Sequence, residues 1–351
     1  MTPRELLWEL VSTPSVSGGE SDAAGVLVDY FEDAGRNAWL DDAGNVRAPG
    51  DDGVLLTSHI DTVPGHIDVR EERATSETPQ GDGETVVREL WGRGSVDATG
   101  PLAAMAAASV ATGASFAGVV EEETTSSGAR HLVEDRTEPD AVVNGEPSGW
   151  DAVTLGYRGF LTGTYTVATE SAHSSRPDPN AVQHAVAWTE RVQSAFDDDD
   201  PVFESVTVKP VDFDGGLAED GRSVTATVET QFRLPPGTTA SDVRAAVADC
   251  TEVGAVAWSD DSVPPVMVSP RTTVAGALRA GIRDAGGDPA HLRKTGTSDA
   301  NLYAAAWDCP VATYGPGDSA LDHAPDERID LADFDRGVDV LTTTAQRLCT
   351  S

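Results

Sequence analysis

The sequence predicts an α/β protein in which a mixed, mostly parallel sheet is interrupted by an inserted β-α-β-β-α-β domain. Three observations predict it. The short apolar runs VLLTSHID (54–61) and GVVEEE (118–123) both end in polar residues, and the small-residue helix PLAAMAAASVAT (101–112) lies between them. Strands alternating with helices argue for parallel pairing, with both faces of the sheet covered and ligands collecting at the carboxyl ends of the strands. From about Gly156 to Val263 the pattern changes to strand, helix, two strands, helix, strand, and after it the α/β alternation resumes.

The elements follow in chain order. RELLWELVS (4–12) repeats its apolar positions at helical spacing, and Ser21 is placed to cap a second helix, DAAGVLVDYFEDAG, that stops at Gly35. The inserted region reads as a strand GFLTGTYTVAT, a helix NAVQHAVAWTERVQSAF, strands ESVTVKPVDF and RSVTATVETQFRL, a helix ASDVRAAVADC and a short strand GAVAW, a split unit of one compact kind. A helix TVAGALRAGIRDAGG, the Gly-rich KTGTSDANLY, a strand CPVATYG and a terminal helix from about Leu331 complete the chain. The expected division is a discontinuous domain of residues 1–155 and 264–351 around an inserted domain of residues 156–263.

Among 351 residues, 59 acids face 24 bases, a net charge of −35, and the bases are 22 Arg and only two Lys. Such a surface stays solvated where salt screens repulsion, because the Debye length falls to about 3 Å at 1 M. A salt-adapted protein is the expectation, and nucleic acid is excluded as a partner. Acidic runs such as 197–200 read as solvated loop. Cys250, Cys309 and Cys349 are odd in number and widely spaced, which suggests neither a disulfide framework nor a thiolate metal site and suits a reducing cytoplasm. No stretch approaches the length of a membrane span, and the N-terminus lacks an uninterrupted apolar signal segment, so a cytoplasmic protein without a membrane partner is expected.

The chemistry lies in acids and imidazoles placed where apolar runs meet turns: His59 and Asp61, Asp97, the acids Glu121 to Glu123, Glu146, and His323. Histidine with carboxylates and no cysteine is a donor set for zinc or a similar divalent ion, and five donors with one shared carboxylate would hold two ions. Two residues apart on a strand, Asp61 can face His59 and orient its ring. Asp97, the single acid between two donor clusters, is expected to bridge the ions, with an ordinary helix cap as its alternative role. Three adjacent carboxylates after a strand repel one another unless cations or a shared proton compensate. One of them is expected to bind metal and a neighbour to act as general base.

In this order the motifs HxD at 59–61, GRGSVD ending at Asp97, EETTSSGAR at 122–130, GEP at 145–147 and the late His323 resemble those of the dinuclear zinc amidohydrolases that include acetylornithine deacetylase, succinyl-diaminopimelate desuccinylase and carboxypeptidase G2. The resemblance spans nearly the whole chain. It implies a zinc-peptidase-like catalytic domain with an inserted lid and dimerisation domain. It implies His59, Asp97 and Glu146 around one metal, and Asp97, Glu123 and His323 around the other, with Glu122 as the base. Glu121 stands where the family commonly has Asp, and Thr99 where it often has Lys. The ions would be zinc, with cobalt or manganese as alternatives.

The resemblance also implies that His173, in ESAHSSRP, reaches the active site of the partner subunit in a homodimer and hydrogen-bonds a developing oxyanion, and that Arg233 receives a substrate carboxylate. GEPSGWDAVTLGYRG and KTGTSDANLY look most like the branch that releases lysine or ornithine from an amino-group carrier protein in lysine and arginine biosynthesis. Lys294, Gly296, Thr297 and Ser298 are then substrate-binding candidates, and Arg158, Arg176, Arg293 and Lys294 a basic rim for an acidic carrier. A small-molecule deacylase acting on acetylornithine or succinyl-diaminopimelate is the alternative within enzymes. A non-catalytic, metal-dependent binding protein is the alternative outside them.

Overall fold

Thr2 starts the first helix: its hydroxyl accepts the Glu5 amide while the Glu5 carboxylate accepts the Thr2 amide, with Pro3 at the first helical position. This is α1 (Pro3–Ser12) in a computed structural model that describes residues 1–77, 84–197, 199–260 and 262–349. In α2 (Ser21–Asp33), Ser21 is the first helical residue and not the cap. Glu20 occupies the cap position, and its buried carboxylate is spent on the amides of Gly18 at 3.0 Å and Glu121 at 3.2 Å. Gly35, at φ 75°, takes the left-handed turn that ends the segment.

The chain continues through β1 (Trp39–Leu40), β2 (Val46–Ala48) and β3 (Asp51–His59), a hairpin of β4 (Arg70–Glu77) and β5 (Glu84–Trp91), then α3 (Thr99–Thr112), β6 (Ala114–Val119), α4 (Ser127–Asp135), β7 (Val142–Gly145) and β8 (Gly149–Tyr157). The inserted region holds β9 (Gly159–Glu170), α5 (Ala181–Ala195), β10 (Thr207–Leu217), β11 (Ser223–Leu234), α6 (Ala240–Asp249) and β12 (Ala255–Trp258), followed by β13 (Val266–Met267). The last part is α7 (Thr273–Asp284), β14 (Ala290–Lys294), α8 (Asp299–Ala306), β15 (Val311–Gly315), β16 (Arg328–Asp330) and α9 (Leu331–Cys349).

The chain divides into two compact units. The first comprises Met1–Leu155, Val268–Leu292 and Ser298–Ser351, the second Gly156–Met267 and Arg293–Thr297. In the first, the strands run in the order β1-β2-β6-β3-β7-β15-β8. The inner pairs β6 with β3, β3 with β7 and β7 with β15 are parallel, and the flanking pairs are antiparallel. Alanine and other small residues on every side of α3 let it bury nearly all round, packed against α1 and α9. The apolar faces of α1, α2, α7 and α9 close the same core with the inward residues of the sheet.

The second unit is the expected β-α-β-β-α-β arrangement: an antiparallel sheet in the order β10-β11-β9-β12, covered by α5 and α6. Burial alternates along β9, and on its inner face Tyr165 stacks on Trp188 of α5 with ring centroids 4.4 Å apart. Residues 293–297 cluster with this unit although the sequence places them in the flanking domain. The reason is polar: the Arg158 guanidinium donates to the Thr295 carbonyl at 2.9 Å, and that of Arg233 to the Thr297 hydroxyl at 3.3 Å. Among the described residues all three cysteines are free, and no helix is long and apolar enough to cross a membrane.

One close approach ties the sheet to the acid turn that follows β6. The Gly128 amide donates to the Val120 carbonyl, the Val120 amide to Asn45 Oδ1, and Asn45 Nδ2 to the Gly128 carbonyl. A Cβ at Gly128 would lie 2.4 Å from Asn45 Oδ1 and 2.5 Å from the Val120 nitrogen. Gly128→Ala is therefore expected to destabilise the first unit by about 1–3 kcal/mol, read as a lower denaturation midpoint. An unchanged midpoint would show that the clamp yields without cost.

Candidate metal centre

The parallel order places the donor-bearing loops side by side. His59 ends β3, the acids 121–123 follow β6, and Glu146 follows β7; these strands are neighbours, and His323 lies in the loop after β15, the next strand. This is the carboxyl edge of the sheet, where such folds gather ligands. Asp97 arrives from the turn between β5 and α3, with a cis peptide bond to Ala98.

His59 is almost fully buried. Its Nδ1 lies 2.9 Å from the Asp61 carbonyl oxygen, an acceptor only, so in the neutral ring the proton sits on Nδ1 and Nε2 keeps its lone pair. That Nε2 is 3.2 Å from Asp97 Oδ1 and 3.9 Å from Glu146 Oε1. On the other side of the same carboxylate, His323 Nε2 is 3.2 Å from Asp97 Oδ2 and 2.9 Å from Glu123 Oε1. Asp97 thus turns one oxygen toward the His59–Glu146 pair and the other toward the His323–Glu123 pair. The donor atoms of His59, Asp97 and Glu123 all lie within 4.8 Å of one another.

The donor set fits divalent metal. Two donors on one tetrahedral zinc, each roughly 2.1 Å from the ion, sit about 3.4 Å apart, within the range of the separations above. The electrostatics agree, because carboxylates crowd together around the two imidazoles. Asp97 is held well below the usual carboxylate range: burial would raise it, but hydrogen bonds from His323 and His59 prevail. His323 is pushed up to about 10 by its hydrogen bonds to Asp97 and Glu123. His59 is raised as well, burial being outweighed by Asp61 and Asp97.

The three acids divide their work. Glu121, at φ 59°, accepts the hydroxyls of Thr125 at 2.8 Å and Ser127 at 2.9 Å, so its carboxylate is spent on its own turn. Glu122 carries a proton affinity well above the ordinary value, chiefly through burial and then through Glu146. Glu123 faces His323. The Asp61 carboxylate lies 3.5 Å from His59 Nδ1, but it also accepts the amides of Glu122 at 3.0 Å and Glu123 at 3.1 Å and the Ser17 hydroxyl at 2.7 Å. Asp61 therefore aims the acid turn as well as the imidazole. Sequence reasoning missed Ser17, Glu20 and Asp299. Asp299, fully buried at the start of α8, has its carboxyl raised to about 7 by burial against the charge of His59.

The remaining candidates lie mostly in the second unit. His173 is exposed in the loop after β9; the Ser175 amide donates to its Nδ1, which leaves the proton on Nε2 of the neutral ring. Half-buried Arg233 stacks on Phe160 at 4.6 Å and reaches Thr297. Lys294 ends β14, Gly296 follows it, and the Ser298 amide, in the first unit, donates to Asn301 Oδ1. Of the expected basic rim, Arg158 is a correction. It is buried, and its guanidinium is committed to Thr295, the Val202 carbonyl and the Thr207 hydroxyl. Arg176 is exposed, and Arg293 pairs with Glu204 at 3.2 Å.

Comparison with known proteins bears on this geometry. The sequence profile of peptidase family M20/M25/M40 matches residues 55–347. The chain belongs to this family. It is accordingly a metal-dependent amidohydrolase. Among curated relatives, the LysW-lysine hydrolase of Deinococcus radiodurans is 38% identical over 98% of this chain and 96% of its own. The LysW-lysine/LysW-ornithine hydrolase of Sulfurisphaera tokodaii is 27% identical over 99% and 95%. Among solved structures, the Bacillus subtilis YXEP protein, a dinuclear metal-binding peptidase from the M20 family, superposes with a TM-score of 0.68 over 98% of this chain and 96% of its own at 12% identity, a likeness of fold.

Asp61→Asn would set an NH2 group against an amide of the acid turn. In this M20 chain it is expected to lower kcat/KM by about 10–100-fold with the far-ultraviolet spectrum unchanged. Wild-type kcat/KM in that variant would remove Asp61 from the machinery.

Proposed function

We propose that this protein hydrolyses the amide joining lysine or ornithine to an amino-group carrier protein, freeing the amino acid in lysine and arginine biosynthesis. The observation that carries the reading is the 38% identity, over 98% of the chain, to a LysW-lysine hydrolase. The arrangement of His59, Asp97, Glu123, Glu146 and His323 supports the chemistry. Two divalent ions held by these residues, Asp97 shared, would supply Lewis acidity toward the scissile carbonyl and acidify a water molecule; zinc suits the donors, with cobalt or manganese as alternatives.

The chain's own residues do the rest. Glu122, whose proton affinity is raised by burial and Glu146, takes a proton from water and returns it to the leaving amine. His173 donates from Nε2 to the oxyanion. Arg233, set by Phe160 and Thr297, pairs with a substrate carboxylate. We assign Lys294, Gly296, Thr297 and Ser298 to recognition of the amino acid, and Arg176, Arg293 and Lys294 to recognition of the carrier. High salt screens the net charge of −35, in keeping with a salt-adapted cytoplasmic enzyme.

We read the second unit as a lid and dimerisation domain. Its strand β10, at the edge of the sheet among the described residues, exposes Val211, Phe213 and Leu217, and an edge strand is a template for pairing with a second copy. In this arrangement His173 serves the partner's site. Mixing His173→Ala with Glu122→Gln subunits is then expected to restore turnover that neither variant shows alone, since a mixed dimer owns one complete site. Inactivity of every mixture would sink the cross-subunit role.

The function is tested by amine release at molar salt from carrier-linked lysine and ornithine, beside acetylornithine and succinyl-diaminopimelate. Turnover of the carrier-linked amides is expected, and Glu122→Gln should lose roughly 10²–10⁴-fold in kcat while still binding metal. Preference for the free acyl amino acids would replace the carrier reading with a small-molecule deacylase. Unchanged turnover in Glu122→Gln would remove its assigned role.

A further inference from the structure

Glu327 stands four residues beyond His323 and one before β16, and its side chain is 1% exposed. Its Oε1 accepts the amides of Val96 at 2.9 Å and Asp97 at 3.1 Å. Its Oε2 accepts the Gly94 amide at 3.1 Å and the Arg93 guanidinium at 2.8 Å. Its main-chain carbonyl accepts the Gly92 amide at 3.3 Å. One residue thus receives the amides of Gly92, Gly94, Val96 and Asp97, while the amide of Ser95 closes the turn on the Gly92 carbonyl.

A carboxylate taken out of water is costly unless its lone pairs are filled. Here they are filled by the turn that delivers Asp97. That turn has no regular secondary structure of its own to set the direction of the Asp97 side chain, which must present Oδ1 toward His59 and Oδ2 toward His323. Turns held by a central carboxylate are stiffer than turns solvated by water, because every amide shares one anchor.

We propose that Glu327 is a positioning residue, which fixes the direction of Asp97 and couples the Asp97 turn to the loop that carries His323. The inference rests on the reading of Asp97 as the shared metal ligand. Glu327 touches neither ion nor substrate; it acts through the backbone of its neighbour. In Glu327→Gln one oxygen remains for two amides, and the new NH2 group meets the Gly94 amide and Arg93, donor against donor.

The test is metal binding by the stripped full-length protein at molar salt, using zinc in competition with a chromophoric chelator and the visible spectrum of cobalt(II). Glu327→Gln is expected to weaken binding by about 10–100-fold and to alter the cobalt spectrum. Val274→Ala, in the core of α7, should lower the denaturation midpoint while leaving both readouts at wild type. Should Glu327→Gln not fold, Arg93→Gln, which removes one of the five donors, decides the matter by a smaller loss in the same direction. Wild-type affinity and spectrum in the folded Glu327→Gln, or in Arg93→Gln where that variant decides, overturn the proposal, as does an equal loss in Val274→Ala. Asp97→Ala separates the two readings: if it binds metal as tightly as wild type, the site assignment itself falls. If it alone loses metal, Asp97 stands and Glu327 does not.

Discussion

The structure turns on one carboxylate, that of Asp97, which faces two imidazoles with its two oxygens. Around it stand the carboxyl groups of Glu122, Glu123 and Glu146, and burial together with repulsion from Glu146 and Glu123 raises the proton affinity of Glu122. Such a cluster persists only where the backbone carrying it is over-determined. Supports are visible at His59, at Glu122 and Glu123, and at Asp97. The Asp61 carbonyl holds the His59 ring, the Asp61 carboxylate holds the amides of Glu122 and Glu123, and Glu327 holds the amide of Asp97. Carboxylates are thus used in two ways here, as partners of the His59 and His323 imidazoles and as acceptors for the amides that aim those partners.

The sheet makes this convergence possible. Donor loops separated by more than two hundred residues, from His59 to His323, meet because β6, β3, β7 and β15 are adjacent and parallel, so their carboxyl ends open on one edge. The helices that cover the sheet pack tightly enough to hold that edge. The nearly fully buried α3, rich in alanine, lets α9 approach closely, and its start lies two residues after Asp97, so core packing and site geometry share the same residues.

Much of this was legible in the sequence because each donor sits where an apolar run stops. VLLTSH and GVVEEE announce strand ends by hydrophobicity alone, and the inserted domain is betrayed by its alternating strands. What was not legible depends on distant partners. The hairpin of β4 and β5 reads REERATSE and ETVVRELW, with too little alternation to mark a half-buried sheet, and its pairing with β16 brings Leu90 beside Ile329 across the chain. Ser21 has the chemistry of a cap, yet the boundary fell at Glu20, whose carboxylate bonds an amide 101 residues away. Arg158 looked like a surface cation and is instead a buried strut for residues 202–207 and 295. No local pattern distinguishes such residues from solvated ones.

The arginine excess carries a related lesson. With 22 Arg and two Lys, the bases look like one half of an adaptation whose other half is the acid surface. The structure gives many of those arginines work that lysine could not do. Arg36 reaches the carbonyls of Ala48, Pro49, Ser109 and Ala114 and the Ser109 hydroxyl while lying over Phe31. Arg70 and Arg328 lie within 5 Å of the Trp91 ring at 4.3 Å and 4.8 Å, and each also pairs with a carboxylate. A planar guanidinium with five donors can stack and bridge several acceptors at once, whereas an ammonium is a strongly hydrated point charge. In a chain so acidic, cations that knit backbone and aromatic faces together leave the surplus negative charge to the surface. The composition is therefore a division of labour: acids solvate, arginines join, and among the described residues the buried acids Glu20, Asp61, Glu146, Asp299 and Glu327 stand in or beside the candidate metal centre.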